Sequence, residues 1–178
     1  MKMVIATALY PPDVAAPAPY IKELAKRLGE KHEIVVVTYG HLPEKIPGIS
    51  FESVDKRNPL IIRLLQFTFK LLSKVRNADV FYVENGASVE LPAIIVSLLT
   101  LKKYVFHIGD KNAHALAKEN ILFSILQTLA SWRAKKVFHD VPMHRPEFFP
   151  FEEYPEEKFR EFEASWKKHL HALANTFL

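Results

Sequence analysis

Cysteine is absent from all 178 residues, which excludes both a disulfide framework and a thiolate metal site and is compatible with a reducing compartment. Long apolar runs are missing too. No segment reaches the about 18 uninterrupted apolar residues that a membrane-spanning helix requires. The amino terminus has no charged stretch followed by an apolar run of signal-peptide length; Met3 to Leu9 is too short and reads as a strand. The expected compartment is therefore the cytoplasm, with a peripheral position at the inner membrane face as a variant of it. Among the histidines, His139, His144, His169 and His171 show no HExxH or comparable spacing and His114 stands alone, so neither a metal nor another cofactor is expected. Recognition-helix, zinc-finger and aromatic RNA-binding patterns are also missing, which argues against nucleic acid.

What is present is ordinary for a soluble globular protein: 49% hydrophobic and 25% charged residues, in a chain long enough for one domain with a sizeable core. A net charge of +4 and an isoelectric point near 9.2 favour anionic partners, of which an anionic lipid surface is preferred.

Strand-like runs recur at Met3–Ala8, Glu33–Thr38, Ile49–Val54, Asp79–Glu84, Tyr104–Ile108 and Lys136–His139, separated by helical patterns and turn residues. Alternation of this kind predicts an α/β fold: a single Rossmann-like domain with a mostly parallel six-stranded sheet and helices on both faces. Right-handed crossovers then gather the loops after the strands, Pro11–Pro17, Tyr39–His41, Asn85–Ser88 and Gly109–Asn112, along one rim. Ligands of open α/β sheets bind at that rim.

The first forty residues are the most informative. The strand Met3-Val4-Ile5-Ala6-Thr7, the loop Tyr10-Pro11-Pro12-Asp13 with Pro17, the helix Tyr20 to Leu28 and the strand His32 to Thr38 resemble the start of a family-4 retaining glycosyltransferase of the GT-B fold. In that family two glycines usually precede the proline and let the backbone approach the donor diphosphate at the helix N-terminus. Here Ala15 and Ala16 hold the phosphate-loop positions. A Cβ on each restricts the backbone and thickens the loop, so close phosphate contact is not expected. Ala164-Ser165-Trp166-Lys167-Lys168-His169-Leu170 is similar to the family's closing helix, which crosses back onto the first domain. The resemblance thus covers residues 1–140, read as the amino-terminal-type domain, and residues 155–178, read as the closing helix, with a proline-rich connector at 141–154 between them. It implies that the donor-binding domain, with its Glu-x7-Glu motif, lies outside this chain. Glu153 and Glu161 have that spacing but lack its Gly-rich context and read as solvated.

At the rim, His107 and Asp110 end the fifth strand where the resemblance places groups that contact acceptor or reacting sugar. An imidazole and a carboxylate there could orient an acceptor hydroxyl or take its proton as catalytic groups. The alternative is that His107 is a core histidine and Asp110 caps the following helix. Glu84 and Asn85 could bind acceptor hydroxyls, while Ser88 reads as an N-cap with Glu90 in the first turn. Tyr10, Asp13 and Tyr20 could line an acceptor pocket, or Pro11-Pro12 could simply stiffen a turn whose aromatic joins the core.

The helix from Leu60 to about Arg76 sets Arg63, Lys70 and Lys74 on a polar stripe beside an apolar arc wider than the about 100° that one buried face needs. Those basic residues are the membrane-facing candidates, and burial of the surplus by the carboxy-terminal segment is the alternative. The last helix carries Phe159, Phe162, Trp166, Leu170, Leu173 and Phe177 on one stripe, which docks in cis or exchanges with a second copy in a homodimer. Two functional expectations result. One is the acceptor-side half of a split sugar transferase acting on a lipid-linked or glycan acceptor, inactive without a donor-binding subunit and not itself a nucleotide-sugar binder. The other is a catalytically silent domain that binds a glycan, a lipid phosphate or a partner protein.

Overall fold

The computed structural model describes residues 1–15, 17–40, 42–144 and 155–177. They divide into two compact units, Met1–Phe138 and His139–Leu178.

The first unit holds six strands: β1 (Lys2–Ala6), β2 (Glu33–Tyr39), β3 (Ile49–Val54), β4 (Val80–Glu84), β5 (Val105–His107) and β6 (Lys136–Phe138). All pair in parallel, in the order β3-β2-β1-β4-β5-β6. This is the doubly wound order of a Rossmann-like sheet, with the reversal between β1 and β4. β1 sits at the centre, Val4 facing Val35 on one side and Phe81 on the other. A parallel strand covered on both faces can be apolar throughout, and Met3, Val4, Ile5 and Ala6 are all buried.

Five helices connect the strands: α1 (Pro17–Gly29), α2 (Leu60–Val75), α3 (Ala87–Thr100), α4 (Lys111–Glu119) and α5 (Ile121–Arg133). Val4, Ala6, Val35, Val37, Phe81 and Phe106 form one core cluster with Phe67 and Leu71 of α2, Val89, Ala93 and Val96 of α3, and Ala130 of α5. The alternating strand residues Met3, Ile5, Ile34 and Val36 lie outside that cluster and are buried on the other face, as are Ile21 and Leu24 of α1. Helix ends are closed by side chains: Asp110 caps α4, Asn120 caps α5, and the Lys102 ammonium donates to the carbonyls of Val75, Arg76 and Ala78 at the end of α2.

The sheet is wholly parallel rather than mostly so. β1 stops at Ala6 instead of Ala8 because the Thr7 hydroxyl bonds locally, donating to the Leu9 carbonyl at 2.9 Å and accepting its N–H at 3.3 Å, which turns the chain out of the sheet. β5 is also shorter than read, Val105–His107.

The second unit contains α6 (Glu156–Phe177), with Glu156 and Glu157 in the first turn where the helix dipole favours them. Phe162, Trp166 and His169 pack edge to face, with centroids 6.4 and 5.9 Å apart. Met143 donates its N–H to the Ser165 hydroxyl at 3.0 Å. Most of the expected connector, residues 145–154, lies outside the described residues, as does Ala16. Among the described residues no helix is long and apolar enough to cross a membrane.

Candidate functional site

The loops after the strands do form one rim at the carboxyl edge of the sheet, but its two halves differ in chemistry. Above β1, β2 and β3 lies an open cleft of about 420 Å³. Tyr10, Pro11, Pro12 and Asp13 wall it from the first loop, Tyr39 and Gly40 from the end of β2, and Asp55, Lys56 and Arg57 from the loop after β3. The Pro11–Pro12 peptide is cis. Tyr10 is 2% exposed, its ring 5.1 Å from that of Phe51, and its hydroxyl is buried without a hydrogen-bond partner. Burial, reinforced by the charge of Glu44, pushes that hydroxyl well above the usual tyrosine range, so it stays protonated as donor and acceptor.

Charged groups of both signs line the cleft. The Lys56 ammonium donates to Asp13 at 2.7 Å, and the Arg57 guanidinium holds Asp55 at 2.6 Å while standing 74% exposed. Tyr39 closes the floor, stacked on Phe67 at 4.4 Å and donating to the Ser88 carbonyl at 2.8 Å. A second hollow of about 210 Å³ adjoins, between Leu9, Tyr39, Lys56, Arg63 and Ser88. Arg63 donates to the Lys56 carbonyl at 2.9 Å, and its Nε is buried there without a partner.

Above β4 and β5 the rim is closed. Glu84 and His107 are 1% and 0% exposed, with His107 Nδ1 2.7 Å from Glu84 Oε2. Against a carboxylate oxygen, Nδ1 is the protonated donor nitrogen. The other carboxylate oxygen accepts the Gly109 N–H at 3.1 Å. Gly109 is required by close approach: a Cβ there would run into the His107 ring and come within 2.7 Å of Glu84 Oε1. Burial raises the Glu84 carboxyl above its ordinary range, although His107 and the Gly109 N–H pull the other way. The Tyr20 ring lies 4.7 Å from that of His107, and the Tyr20 hydroxyl shares a 2.8 Å bond with that of Tyr82. Asn85 ties the two loops together, donating to the Asp110 carbonyl at 2.9 Å and accepting the Asp110 N–H at 2.8 Å.

The predicted residues are thus distributed over both halves. Tyr10 and Asp13 line the open cleft. Glu84, Asn85 and His107 belong to the closed corner, and the Asp110 carboxylate accepts the N–H groups of Asn112 and Ala113, the capping arrangement that was the alternative to a chemical role. The Ala15 carbonyl accepts the Ala18 N–H at the start of α1. Ser88 is not an N-cap. That position belongs to Gly86, whose backbone, at φ +143, suits glycine and donates its N–H to Glu90 at 3.0 Å. On α2, Lys70 and Lys74 turn toward β3 and pair with Glu52 at 3.1 and 2.9 Å. Arg63 turns toward the smaller hollow. The outward stripe of that helix is apolar instead: Ile61, Leu65 and Phe69.

Tyr39, Asp55, Lys56 and Arg57 complete the cleft, and of these the loop after β3 was missed. Its signal was available, because Ile49–Val54 was read as a strand and the loop following it belongs to the same rim by the same topology. Among the described residues no group of three acidic or histidine side chains could hold a metal ion.

Sheet order and rim together define a Rossmann-like domain. Anabaena HepE, solved in complex with UDP and glucose, is similar in fold: TM-score 0.54 and 17% identity, over 77% of this chain and 37% of that one. A structure described as a UDP-N-acetylglucosamine 2-epimerase from Listeria monocytogenes is also similar, with TM-score 0.48 and 17% identity over 77% of this chain and 38% of that one. At these identities the likeness is one of fold, and the chain spans little more than a third of the length of either. No family model matches the sequence, and no curated protein matches it.

Proposed function

We propose that this chain is the acceptor-side domain of a glycosyltransferase-like sugar transferase, working with a donor-binding domain supplied by another subunit. The observation that carries the reading is the open cleft itself, walled by acids, cations and the Tyr10 and Tyr39 rings. Its volume falls in the about 300–1,000 Å³ range of small-ligand sites. A sugar offers hydroxyls that both donate and accept, beside an apolar ring face. Asp13 and Asp55 accept, Lys56 and Arg57 donate, and Pro11, Pro12, Tyr10 and Tyr39 present apolar surface. The acceptor class that fits is a glycan or a lipid-linked sugar. The fold it shares with HepE, which was solved with UDP and glucose, supports a sugar-related role. Ala15 in place of a glycine argues that the donor diphosphate is gripped elsewhere, as does a β4–β5 corner that leaves His107 no exposed surface.

A second reading is favoured by that same corner. With Asp110 engaged as a cap and His107 enclosed, a domain that binds glycan without turnover uses the cleft and nothing else. Calorimetric titration with oligosaccharide fragments, and separately with UDP-, GDP- and ADP-sugars, tests the proposal. Saturable oligosaccharide binding that Arg57→Ala weakens, with no heat from nucleotide sugars, is the expected result. Nucleotide-sugar binding by this chain alone would overturn the division of labour. Oligosaccharide indifference at millimolar concentration would remove the acceptor cleft altogether. Hexosyl transfer on adding a donor-binding partner separates the transferase half from the silent domain.

A further inference from the structure

α2, α3 and α5 lie side by side on one face of the sheet and share one core cluster beneath them. Their outer surface is apolar. On α2, Ile61, Leu65 and Phe69 are 72, 54 and 68% exposed. On α3, Ile95, Leu98 and Leu99 are open to solvent, and the helix between Ala87 and Thr100 has Glu90 as its charged residue, which is buried. On α5, Ile125 and Leu129 continue the surface to Trp132, which is 78% exposed. Monomeric soluble proteins seldom expose large contiguous apolar patches, and here three neighbouring helices each present exposed apolar side chains.

The charges around the patch say what covers it. Each helix runs back to the amino edge of the sheet to feed the next parallel strand, so the three ends fall along one line. Just past each end stands an exposed cation: Arg76 after α2, Lys103 after α3 and Lys135 after α5. The acids of this stretch are fewer than its cations: Glu84, Glu90 and Asp110 are buried, which leaves Asp79, accepting the Lys2 backbone N–H, and Glu119 at the end of α4 as the exposed ones. An apolar plane bordered by a row of cations, with a tryptophan at its margin, is complementary to an anionic bilayer surface.

We propose that the α2–α3–α5 face is a membrane-docking surface, seated on anionic phospholipid with Trp132 in the interface and Arg76, Lys103 and Lys135 at the headgroups. It relocates the membrane contact from the Arg63, Lys70 and Lys74 side of α2 to the opposite stripe and extends it over three helices. It does not depend on the cleft having a sugar ligand.

Flotation of the full chain with phosphatidylcholine vesicles, and with vesicles containing phosphatidylglycerol, tests this. The chain floats with the phosphatidylglycerol vesicles, less so as salt rises, and its tryptophan emission shifts to the blue; the shift is lost in Trp132→Phe, leaving Trp166 as a silent reporter. Lys103→Ala and Lys135→Ala each weaken partition about fivefold, and Leu98→Ser with Ile125→Ser weakens it tenfold or more, by about the loss expected for their methylenes. All four positions are exposed, so circular dichroism stays unchanged. Three results overturn the proposal: no flotation, flotation without a Trp132 shift, or a concentration-dependent dimer that the Leu98→Ser, Ile125→Ser pair dissolves, which assigns the face to a second copy. The wild-type lipid, salt and emission readings decide the matter even where a variant fails to fold.

Discussion

The two halves of the rim use the same kinds of side chain to opposite ends. Over β4 and β5, a carboxylate, an imidazole, two tyrosines and an asparagine are enclosed and paired with one another. Over β1 to β3, carboxylates, cations and a tyrosine face an open cleft, and the most buried of them, Tyr10, has no partner. A polar group that has its hydrogen bonds and no access to solvent stabilises one arrangement of the chain. A polar group that lacks them costs the free protein stability. Residue type alone did not separate the two, since Glu84 and Asp13 are equally acidic. What separates them is whether the neighbouring loop closes over the strand end.

The largest break in this comparison comes from cutting the enclosed pair. Glu84→Leu leaves His107 buried without its carboxylate and costs about 3 kcal/mol of stability, read as a drop in the urea midpoint. Glu84 also makes stability depend on pH. Its carboxyl is raised in the fold above the unfolded reference of 4.5, chiefly by burial, so the folded state binds the extra proton. That contribution is complete below 4.5 and is lost as pH rises through the folded value. In Glu84→Gln the titration is gone, so the wild-type advantage over it shrinks as pH rises from 4.5. An advantage that grows over the same interval would mean that His107, not burial, governs the carboxyl.

The next test sets one tyrosine against another. Tyr82→Phe breaks a satisfied buried bond to Tyr20 and costs about 1 kcal/mol. Tyr10→Phe removes a hydroxyl that is already unsatisfied, so it leaves the free protein equally stable or more stable by about 1 kcal/mol. In thermal melts side by side, Tyr82→Phe unfolds below the wild type and Tyr10→Phe at or above it. Equal losses would mean that the Tyr10 hydroxyl is bonded in solution and that the halves are not different.

The fold was legible because its signal is repetitive. Short apolar strands such as Glu33–Tyr39 and Val80–Glu84 alternate with helical patterns, and a parallel sheet is the arrangement that buries such strands on both faces. The rim followed from topology, and Tyr10 and Asp13 with it. The division of that rim did not, because the Glu84–His107 bond joins residues 23 apart in sequence and depends on Gly109 admitting both side chains. The sequence marks Gly109 as the start of the loop after the fifth strand, but not the close approach of His107 and Glu84 that requires it. The loop that carries Arg57 follows from the same topology, but nothing in its sequence distinguishes a cation that walls a cleft from a solvated one. On α2 the periodicity marked a basic stripe and a wide apolar arc but not which of them faces outward. Glu52 on β3 decides that by pairing with Lys70 and Lys74.

The smallest expected effect sharpens the comparison from the open side. Lys56 and Asp13 form a short ion pair at 2.7 Å, yet their side chains are 40 and 33% exposed. Water and salt screen such a pair, and holding a long lysine in one rotamer offsets much of the attraction, so Lys56→Ala changes stability by only a few tenths of a kcal/mol. Its weight lies in the cleft. Without Lys56, Asp13 keeps its acceptor oxygens but loses the cation that fixes them, and an oligosaccharide bound there gives up one donor. Binding of the fragment used for calorimetry then weakens severalfold while the urea midpoint stays within error. A loss of stability comparable to that of Glu84→Leu would make the open half structural in the same sense as the closed one, and the distinction between them would fail.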